Sequence, residues 1–384
     1  MVLNFAFKIY LSYHIPKEDI GLFWTFLDVV SVGIMLFSGF RDSLVISYDR
    51  DDFKKIFFWY SLSFVLLACV VLIFEIFYYE SLGFSYPLYY LIILFLANIM
   101  MIFFSYLNIA YKNYSVMLLE NMVMAVGLVV GFFFFSIFFE PIKSLFFGFL
   151  LSFVLRSLYI VLFAKFRFEY EKSNFIDVKY FFKNTIFSGG KYFFSGLFIS
   201  MSGIIVLKLF HDNTILAEYQ VVVRSIFFSL VAVFVFPLNT FTFTQISKFI
   251  SSGEVFEVKR VEEKLVKYLI VFFMMLLVAT FFTKYIIGLV FPIEYAKSYE
   301  MLNLMLPLLP FIAYTTFALN IIKAYDRFDL ALKVRVVGSV VFFATIYTFY
   351  LLGFDARSVV YSLDSSFFMM FLLSYSYKNI LLKG

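Results

Sequence analysis

The stretch IGLFWTFLDVVSVGIMLFSGF, residues 20–40, has one charged side chain, Asp28, in 21 positions. A helix of about 20 residues rises about 30 Å, which is the thickness of the hydrocarbon core of a bilayer. Ten further apolar runs follow along the chain, at residues 56–79, 87–111, 115–139, 142–165, 188–210, 216–245, 265–291, 299–322, 330–352 and 358–377. The sequence therefore predicts an all-α, polytopic membrane protein.

The composition supports the same class of protein. Of the 384 residues, 63% are hydrophobic and 15% are charged, whereas a soluble domain is about half apolar and about a quarter charged. A β-barrel would show alternating segments of about ten residues instead. The net charge of +5 does not indicate a nucleic-acid partner, because the charges lie in the loops between apolar runs.

The side chains that carry metal or enzyme chemistry are sparse. The chain has one cysteine, Cys69, and two histidines, His14 and His211. These residues lack the spacing of a metal site, and no glycine-rich phosphate loop is present. We expect no metal and no cofactor. An enzyme such as a polysaccharide polymerase is disfavoured because the chain has no large outer loop and no deep acid–base pair.

Residues 1–13 form only half of a membrane span, because a helix of 13 residues rises about 20 Å. This segment is a poor signal peptide, since it has no cationic start and no small-residue cleavage site. We predict that the first transmembrane helix is short or truncated, with the native protein starting upstream of Met1 in the second case.

An internal repeat relates the two halves of the chain. A shift of 196 residues places EDIGLFWTFLD (18–28) on TILAEYQVVVR (214–224). Equivalent pairs under this shift include Gly21 with Ala217 and Asp28 with Arg224. The repeat predicts about 12 transmembrane helices in two six-helix bundles, an N-terminal bundle at residues 1–183 and a C-terminal bundle at residues 184–384.

The distribution of lysine and arginine predicts the orientation. Of the 31 basic residues, 21 fall in one alternating set of loops and the C-terminal tail, four fall in the opposite set, and six lie inside spans. The four are Lys17, Lys143, Lys297 and Arg357. We therefore predict that both termini are cytoplasmic.

The six basic residues inside spans are the candidate functional groups. A lysine or arginine at a helix centre costs about 2.5–3.5 kcal/mol on insertion, so such a side chain should face protein or water. Lys284 is interpreted as a snorkelling side chain near a helix end. For Lys208 and Arg156 the sequence allows either a snorkelling side chain or a functional one. Arg41 has an adjacent partner in Asp42.

Arg224 lies too deep in its span to snorkel, and its repeat equivalent is Asp28. We hypothesise that Arg224, Lys208 and Lys8, balanced by Asp28, line a cationic cavity between the halves. Arg41 is a further candidate for this site. Such a cavity suits an anionic cargo, for example a pyrophosphate attached to a lipid.

Two blocks of sequence resemble those of a known family, the O-antigen and polysaccharide flippases. The block YHIPKEDIGLFWTFLDVVSVGIMLFSGFRDSLV (13–45) resembles the first conserved stretch of that family. The matching residues are Pro16, Glu18, Gly21, Phe23 and Gly39-Phe40-Arg41. The block TILAEYQVVVRSIFFSLVAVFVFPLN (214–239) resembles the turn of the second half, through Leu216-Ala217-Glu218-Tyr219 and Arg224. Ala217 departs from the usual glycine.

The resemblance implies a member of the multidrug/oligosaccharidyl-lipid/polysaccharide exporter superfamily. Such a protein has two helical bundles and works by alternating access. It carries undecaprenyl-pyrophosphate-linked oligosaccharide outward across the bacterial cytoplasmic membrane for surface polysaccharide biosynthesis. The implied partners are the lipid-linked oligosaccharide, membrane lipids and polysaccharide assembly proteins, and coupling to H⁺ or Na⁺ is left open. The alternative is an ion-coupled drug exporter of the same superfamily, which the mainly basic deep charges disfavour.

Overall fold

The computed structural model describes residues 2–49, 53–164, 166, 175–325 and 327–382. The α-helices within these residues are α1 Val2–His14, α2 Lys17–Ile34, α3 Ser38–Asp49, α4 Phe53–Leu82, α5 Leu88–Ala110, α6 Tyr114–Phe135, α7 Pro141–Phe163, α8 Phe175–Ile205, α9 Asn213–Ala217, α10 Arg224–Leu230, α11 Phe236–Ser251, α12 Val255–Thr280, α13 Thr283–Val290, α14 Ser298–Met305, α15 Leu309–Ala324, α16 Phe328–Leu351 and α17 Ser358–Leu381. In this part of the chain the regular structure is helical throughout, without a strand.

All eleven predicted spans coincide with helices, which confirms the all-α polytopic fold class. Among the described residues, nine helices are long and apolar enough to cross a membrane, and the number rises to eleven if two bent pairs each count as one span. One bent pair is Val178–Phe194 with Gly196–Phe210, at 42°. The other is α12 with α13, at 63°. Within the predicted span at 265–291, α12 ends at Thr280 and α13 begins at Thr283.

The helix starts follow local signals in the sequence. Pro16 precedes α2, and Glu18 and Asp19 lie in the first turn of that helix. There their charges interact favourably with the positive end of the helix dipole. The short first helix is α1, whose 13 residues end at His14.

The described chain forms two compact units. One consists of residues 25–201, and the other combines residues 1–24 with residues 202–384. Both boundaries fall inside helices, α2 and α8, so the units differ in extent from the predicted bundles at 1–183 and 184–384. The predicted bundles describe a sequence repeat and stay a prediction.

The unit at 25–201 is held by close helix packing. In α6, a Cβ atom added at Gly131 would lie 3.1 Å from the Cα atom of Gly148 in α7. A Cβ atom at Gly127 would lie 3.3 Å from the Cα atom of Ser152. Small residues let helix backbones approach in this way inside a membrane.

The unit formed by 1–24 and 202–384 is built around α15, which packs against α11, α12, α16 and α17. Three π-helical segments occur among its described residues, at Val206–Phe210, Glu218–Val223 and Val231–Val235. The last of them precedes Pro237, which lacks the N–H group that would bond to the carbonyl four residues earlier. The wider π turn accommodates that missing donor.

The predicted orientation stays a prediction. Five of the basic residues that support it, Arg50, Lys165, Arg167, Lys172 and Lys383, lie outside the described residues.

Candidate functional site

The unit formed by 1–24 and 202–384 brings two of the predicted site residues into one hydrogen-bond network. Lys8 of α1 donates from Nζ to Oγ of Ser225, over 2.9 Å. Ser225 donates in turn to the carbonyl of Gln220, over 3.3 Å. The side-chain oxygen of Gln220 accepts from the guanidinium of Arg224 over 2.8 Å. We call Lys8, Gln220, Arg224 and Ser225 the basic network.

The backbone of the basic network explains its geometry. Gln220 lies on the π-helical segment Glu218–Val223, and Arg224 and Ser225 open α10 directly after it. Gln220 and Ser225 are buried, whereas Lys8 and Arg224 are half-buried. The Lys8 ammonium also lies 4.0 Å from the ring centroid of Trp24, a cation–π distance. The hydrogen bonds thus connect Lys8 of α1 to Gln220 and Ser225, the same two residues that precede and follow Arg224 in this network.

A second cluster surrounds Lys17, at the start of α2. Lys17 pairs with Glu218 at 2.8 Å, and the two side chains are 11% and 4% exposed. The same ammonium donates to the carbonyl oxygen of Glu294 over 2.7 Å and lies 5.3 Å from the ring centroid of Tyr295. We call these four residues the Lys17 cluster. Burial, followed by the charges of Glu294 and Glu218, raises the pKa of Tyr295 well above its usual range.

The Lys17 cluster lies beside a close backbone contact. A Cβ atom added at Gly21 would lie 2.8 Å from the Cα atom of Ala217. Real Cβ atoms do not approach that closely, so α2 and α9 contact each other through bare backbone at this point. These two residues are also the equivalent pair under the 196-residue shift.

The other predicted site residues are Lys208, Asp28 and Arg41. Lys208 is exposed and lies three residues before His211, whose φ of 52° ends the helix in a left-handed turn. Asp28 is 5% exposed and belongs to the unit at 25–201. The predicted approach of Asp28 to Arg224 therefore joins the two units and stays a prediction. Arg41, in the unit at 25–201, pairs with Asp42 at 3.3 Å and donates to the Tyr192 hydroxyl.

Arg156 has a buried partner rather than a snorkelling position. It pairs with Glu120 at 2.7 Å, with exposures of 14% and 5%. Asn108 donates to the other carboxylate oxygen of Glu120 over 3.1 Å. The pair joins α6 to α7.

Two clusters of side chains in the structure had not been predicted from the sequence. The Lys17 cluster joins positions 201 residues apart, and Lys17 had been counted only as a loop charge. The second missed cluster is Glu262, Tyr314 and Lys378, in which the Lys378 ammonium and the Tyr314 hydroxyl both donate to Glu262. Lys378 is 2% exposed, although its position near the C-terminus suggested a solvated tail. Tyr375 and Tyr377, which precede Lys378 in the sequence, were the available signal of an interfacial position.

No protein-family model matches the chain, and no curated protein matches it either. Several solved structures do match the chain. One is described as the inward-facing conformation of a multidrug resistance MATE family transporter of the MOP superfamily. It has a TM-score of 0.77 and 13% identity, over 99% of this chain and 94% of that chain.

Two further structures are similar. The lipid II flippase MurJ, in an inward closed conformation, has a TM-score of 0.79 and 14% identity, over 98% of this chain and 85% of that chain. A MOP superfamily transporter from Pyrococcus furiosus, described as having a reversed polarity of its binding pocket, has a TM-score of 0.64 and 16% identity, over 100% and 92%. Identities at this level establish the fold alone. The chain therefore has the all-α, polytopic fold that these MATE, MurJ and MOP superfamily structures share.

Proposed function

We propose that the chain is a transporter that flips a polyprenyl-pyrophosphate-linked oligosaccharide across the membrane by alternating access, as the resemblance to polysaccharide flippases implies. The basic network is the observation that carries this proposal. It connects Lys8 and Arg224 through Ser225 and Gln220, inside apolar helices. A pyrophosphate that leaves water needs several fixed donors in place of its hydration, and charge-assisted hydrogen bonds from lysine and arginine are the strongest available.

The shared fold supports the same proposal. Both a MATE transporter and a lipid II flippase have this fold, and neither is described as an enzyme. In the proposed mechanism the headgroup docks on Arg224 and Lys8. The bundles then rock about the site so that it opens to the opposite face.

The Lys17 cluster has a place in this mechanism. Under the predicted orientation Lys17 lies on the outer side, and the Gly21–Ala217 contact closes the helices there. In the proposed mechanism the ion pair and the backbone contact separate when the site opens outward. The cost of exposing the Lys17–Glu218 pair is reduced because both charges regain water.

The direct test is translocation in vesicles. Purified chain is reconstituted with polyprenyl-pyrophosphate-linked oligosaccharide, and the sugar on the outer leaflet is measured with an impermeant lectin. Wild type is expected to equilibrate the lipid between leaflets. Arg224→Ala and Lys8→Ala should each slow translocation about tenfold or more, since a hydrogen bond to a charged group contributes about 1.5–3 kcal/mol.

The matched control is Arg327→Ala, which removes an arginine from an exposed pair with Asp329. It should translocate at the wild-type rate. If Arg224→Ala matches wild type, the basic network is not the headgroup site. If wild type itself moves no lipid-linked sugar, the proposed cargo is wrong.

A second function, ion-coupled export of a small molecule, is favoured by one observation. Glu75 of α4 is 5% exposed inside an apolar span. Its carboxyl group occupies the space where a side chain at Gly33 would begin. An ionisable group buried in a membrane span is by default a candidate for proton or ion coupling.

Substrate-dependent proton release from vesicles distinguishes the second function. If the chain exports cationic dyes under a pH gradient, Glu75→Gln should abolish the coupling while Glu80→Gln, an exposed site on the same helix, should not. Dye export without lipid translocation would replace the first proposal by the second.

A further inference from the structure

Two adjoining depressions lie on the unit formed by 1–24 and 202–384, where α12, α15 and α17 meet. The first, which we call the aromatic groove, has a volume of about 530 Å³. Its walls include Ile270, Phe273, Phe311, Phe371 and Tyr375. The second, which we call the charged pocket, has a volume of about 500 Å³ and is bordered by Lys259, Glu262, Glu263, Lys267 and Lys378.

The two depressions are continuous. Glu262, Val266 and Tyr375 line both of them. The aromatic walls are preorganised, with ring centroids 5.1 Å apart for Phe311 and Phe371 in an edge-to-face arrangement. Rings packed in this way hold an apolar channel open at little entropic cost.

The junction lies at the level of a membrane interface. The part of α12 before residue 268 carries seven charged residues, whereas residues 268–280 carry none. The helix therefore passes from a polar into an apolar environment near Lys267. Tyr375 lies at the same level, and tyrosine is enriched where headgroups meet acyl chains. The aromatic groove extends on the apolar side of this border and the charged pocket on the polar side.

The charges in the pocket favour an anion. Lys378 is already neutralised by Glu262, to which it donates together with the Tyr314 hydroxyl. Lys259 and Lys267 then face one further carboxylate, that of Glu263. Basic pockets between transmembrane helices at the interface bind anionic lipid headgroups. Each of the two volumes lies within the range of small-molecule sites, about 300–1,000 Å³.

We infer that the aromatic groove and the charged pocket together form a binding site for one anionic phospholipid, with an acyl chain along Phe273 and Phe311 and the phosphate between Lys259 and Lys267. The site is separate from the basic network and does not depend on the cargo. Phosphatidylglycerol is the probe for it, and phosphatidylcholine is the neutral comparison.

Native mass spectrometry of the detergent-solubilised full chain measures the affinity for each added lipid. Phosphatidylglycerol should bind about tenfold or more tightly than phosphatidylcholine, and the double variant Lys259→Gln/Lys267→Gln should remove this preference. The matched control is Arg260→Gln/Lys264→Gln, which removes the same charge from the same helix at positions that line neither depression. It should keep the preference.

The contribution of the aromatic groove is tested separately. Ile270→Trp fills the aromatic groove, whereas Met274→Trp adds the same bulk one turn further along α12, outside the groove. The two sites are equally exposed, at 58% and 57%. Ile270→Trp should weaken phosphatidylglycerol binding and Met274→Trp should not, with unchanged melting temperatures showing that both variants fold.

Three results would overturn the inference. The first is equal affinity for the two lipids in wild type. The second is a loss in the Arg260→Gln/Lys264→Gln control as large as in the Lys259→Gln/Lys267→Gln variant. The third is displacement of bound phosphatidylglycerol by inorganic phosphate, which would assign the pocket to a free anion without a lipid tail.

Discussion

Charged side chains inside the apolar helices contact different kinds of group. Arg224 donates to the side-chain oxygen of Gln220, and Lys8 donates to the hydroxyl of Ser225. Arg156 pairs with a carboxylate, that of Glu120. Removing one member of a buried ion pair leaves the other charge without compensation.

This difference predicts a stability effect at Arg156. Arg156→Gln should destabilise the chain by about 3 kcal/mol, because Glu120 is left buried without its partner. The double variant Arg156→Gln/Glu120→Gln should recover much of the loss. Unfolding of the purified protein in detergent, followed by tryptophan fluorescence, measures both. Arg327→Gln, at an exposed ion pair, is the control, and a wild-type stability for Arg156→Gln would show that the pair is unimportant.

The contact of Gly21 with Ala217 makes a second prediction at this scale. Gly21→Val should cost about 1–3 kcal/mol through overpacking, because its Cβ atom would lie 2.8 Å from the backbone of α9. Gly288→Val is the matched control, since a Cβ atom at Gly288 meets nothing within 4 Å. The melting temperatures of the two variants, each compared with that of the wild type, measure the loss of stability. Equal losses would indicate a helix-propensity effect rather than a close contact.

At the scale of the helices, the length of the apolar runs predicted the spans well. An apolar run of about 20 residues satisfies its backbone hydrogen bonds in lipid by forming a helix. The bend between α12 and α13 was not predicted. It falls at Phe281 and Phe282, where neither proline nor glycine marks a break. The π-helical segment Glu218–Val223, which positions Gln220, has no sequence signal either. Such features arise from packing, which periodicity does not report.

The sequence predicted part of the candidate site. Lys8 and Arg224 could be found because a charge in an apolar run is conspicuous. The Lys17–Glu218 pair could not, since each partner alone is an ordinary helix-end residue and only the fold joins them. The repeat aligned Gly21 with Ala217, but it did not indicate that the two residues contact each other.

Gly127 and Gly131 of α6 are the positions where α6 packs closely on α7. Gly131→Leu should therefore separate the two helices and lower the melting temperature, because the Cα atom of Gly148 lies 3.1 Å from the position of the new Cβ atom. Gly190→Leu, at a helical glycine with open space around it, controls for the loss of glycine. A smaller loss at Gly131 than at Gly190 would contradict the contact.

For the whole molecule, the path of the chain across the membrane depends on α12 and α13. Bent by 63°, the pair is either one broken span or a re-entrant loop that returns to its own side. The two cases place every later segment on opposite faces. The distribution of basic residues favours a broken span, because Lys248 before the pair belongs to the basic set of loops and Lys297 after it to the sparse set. The predicted cytoplasmic C-terminus requires this crossing.

Cysteine labelling tests the crossing. In a Cys69→Ser background, Lys248→Cys and Lys297→Cys are each exposed to an impermeant maleimide on intact cells and again after permeabilisation. Both lysines are exposed, so access differs only by side. Lys297→Cys should be labelled on intact cells and Lys248→Cys only after permeabilisation. Labelling of both under the same condition would identify α12–α13 as a re-entrant loop. If that condition is permeabilisation, the three later spans then place the C-terminus outside. The reverse pattern would keep the crossing and invert the orientation, which would place the Lys17 cluster at the cytoplasmic face.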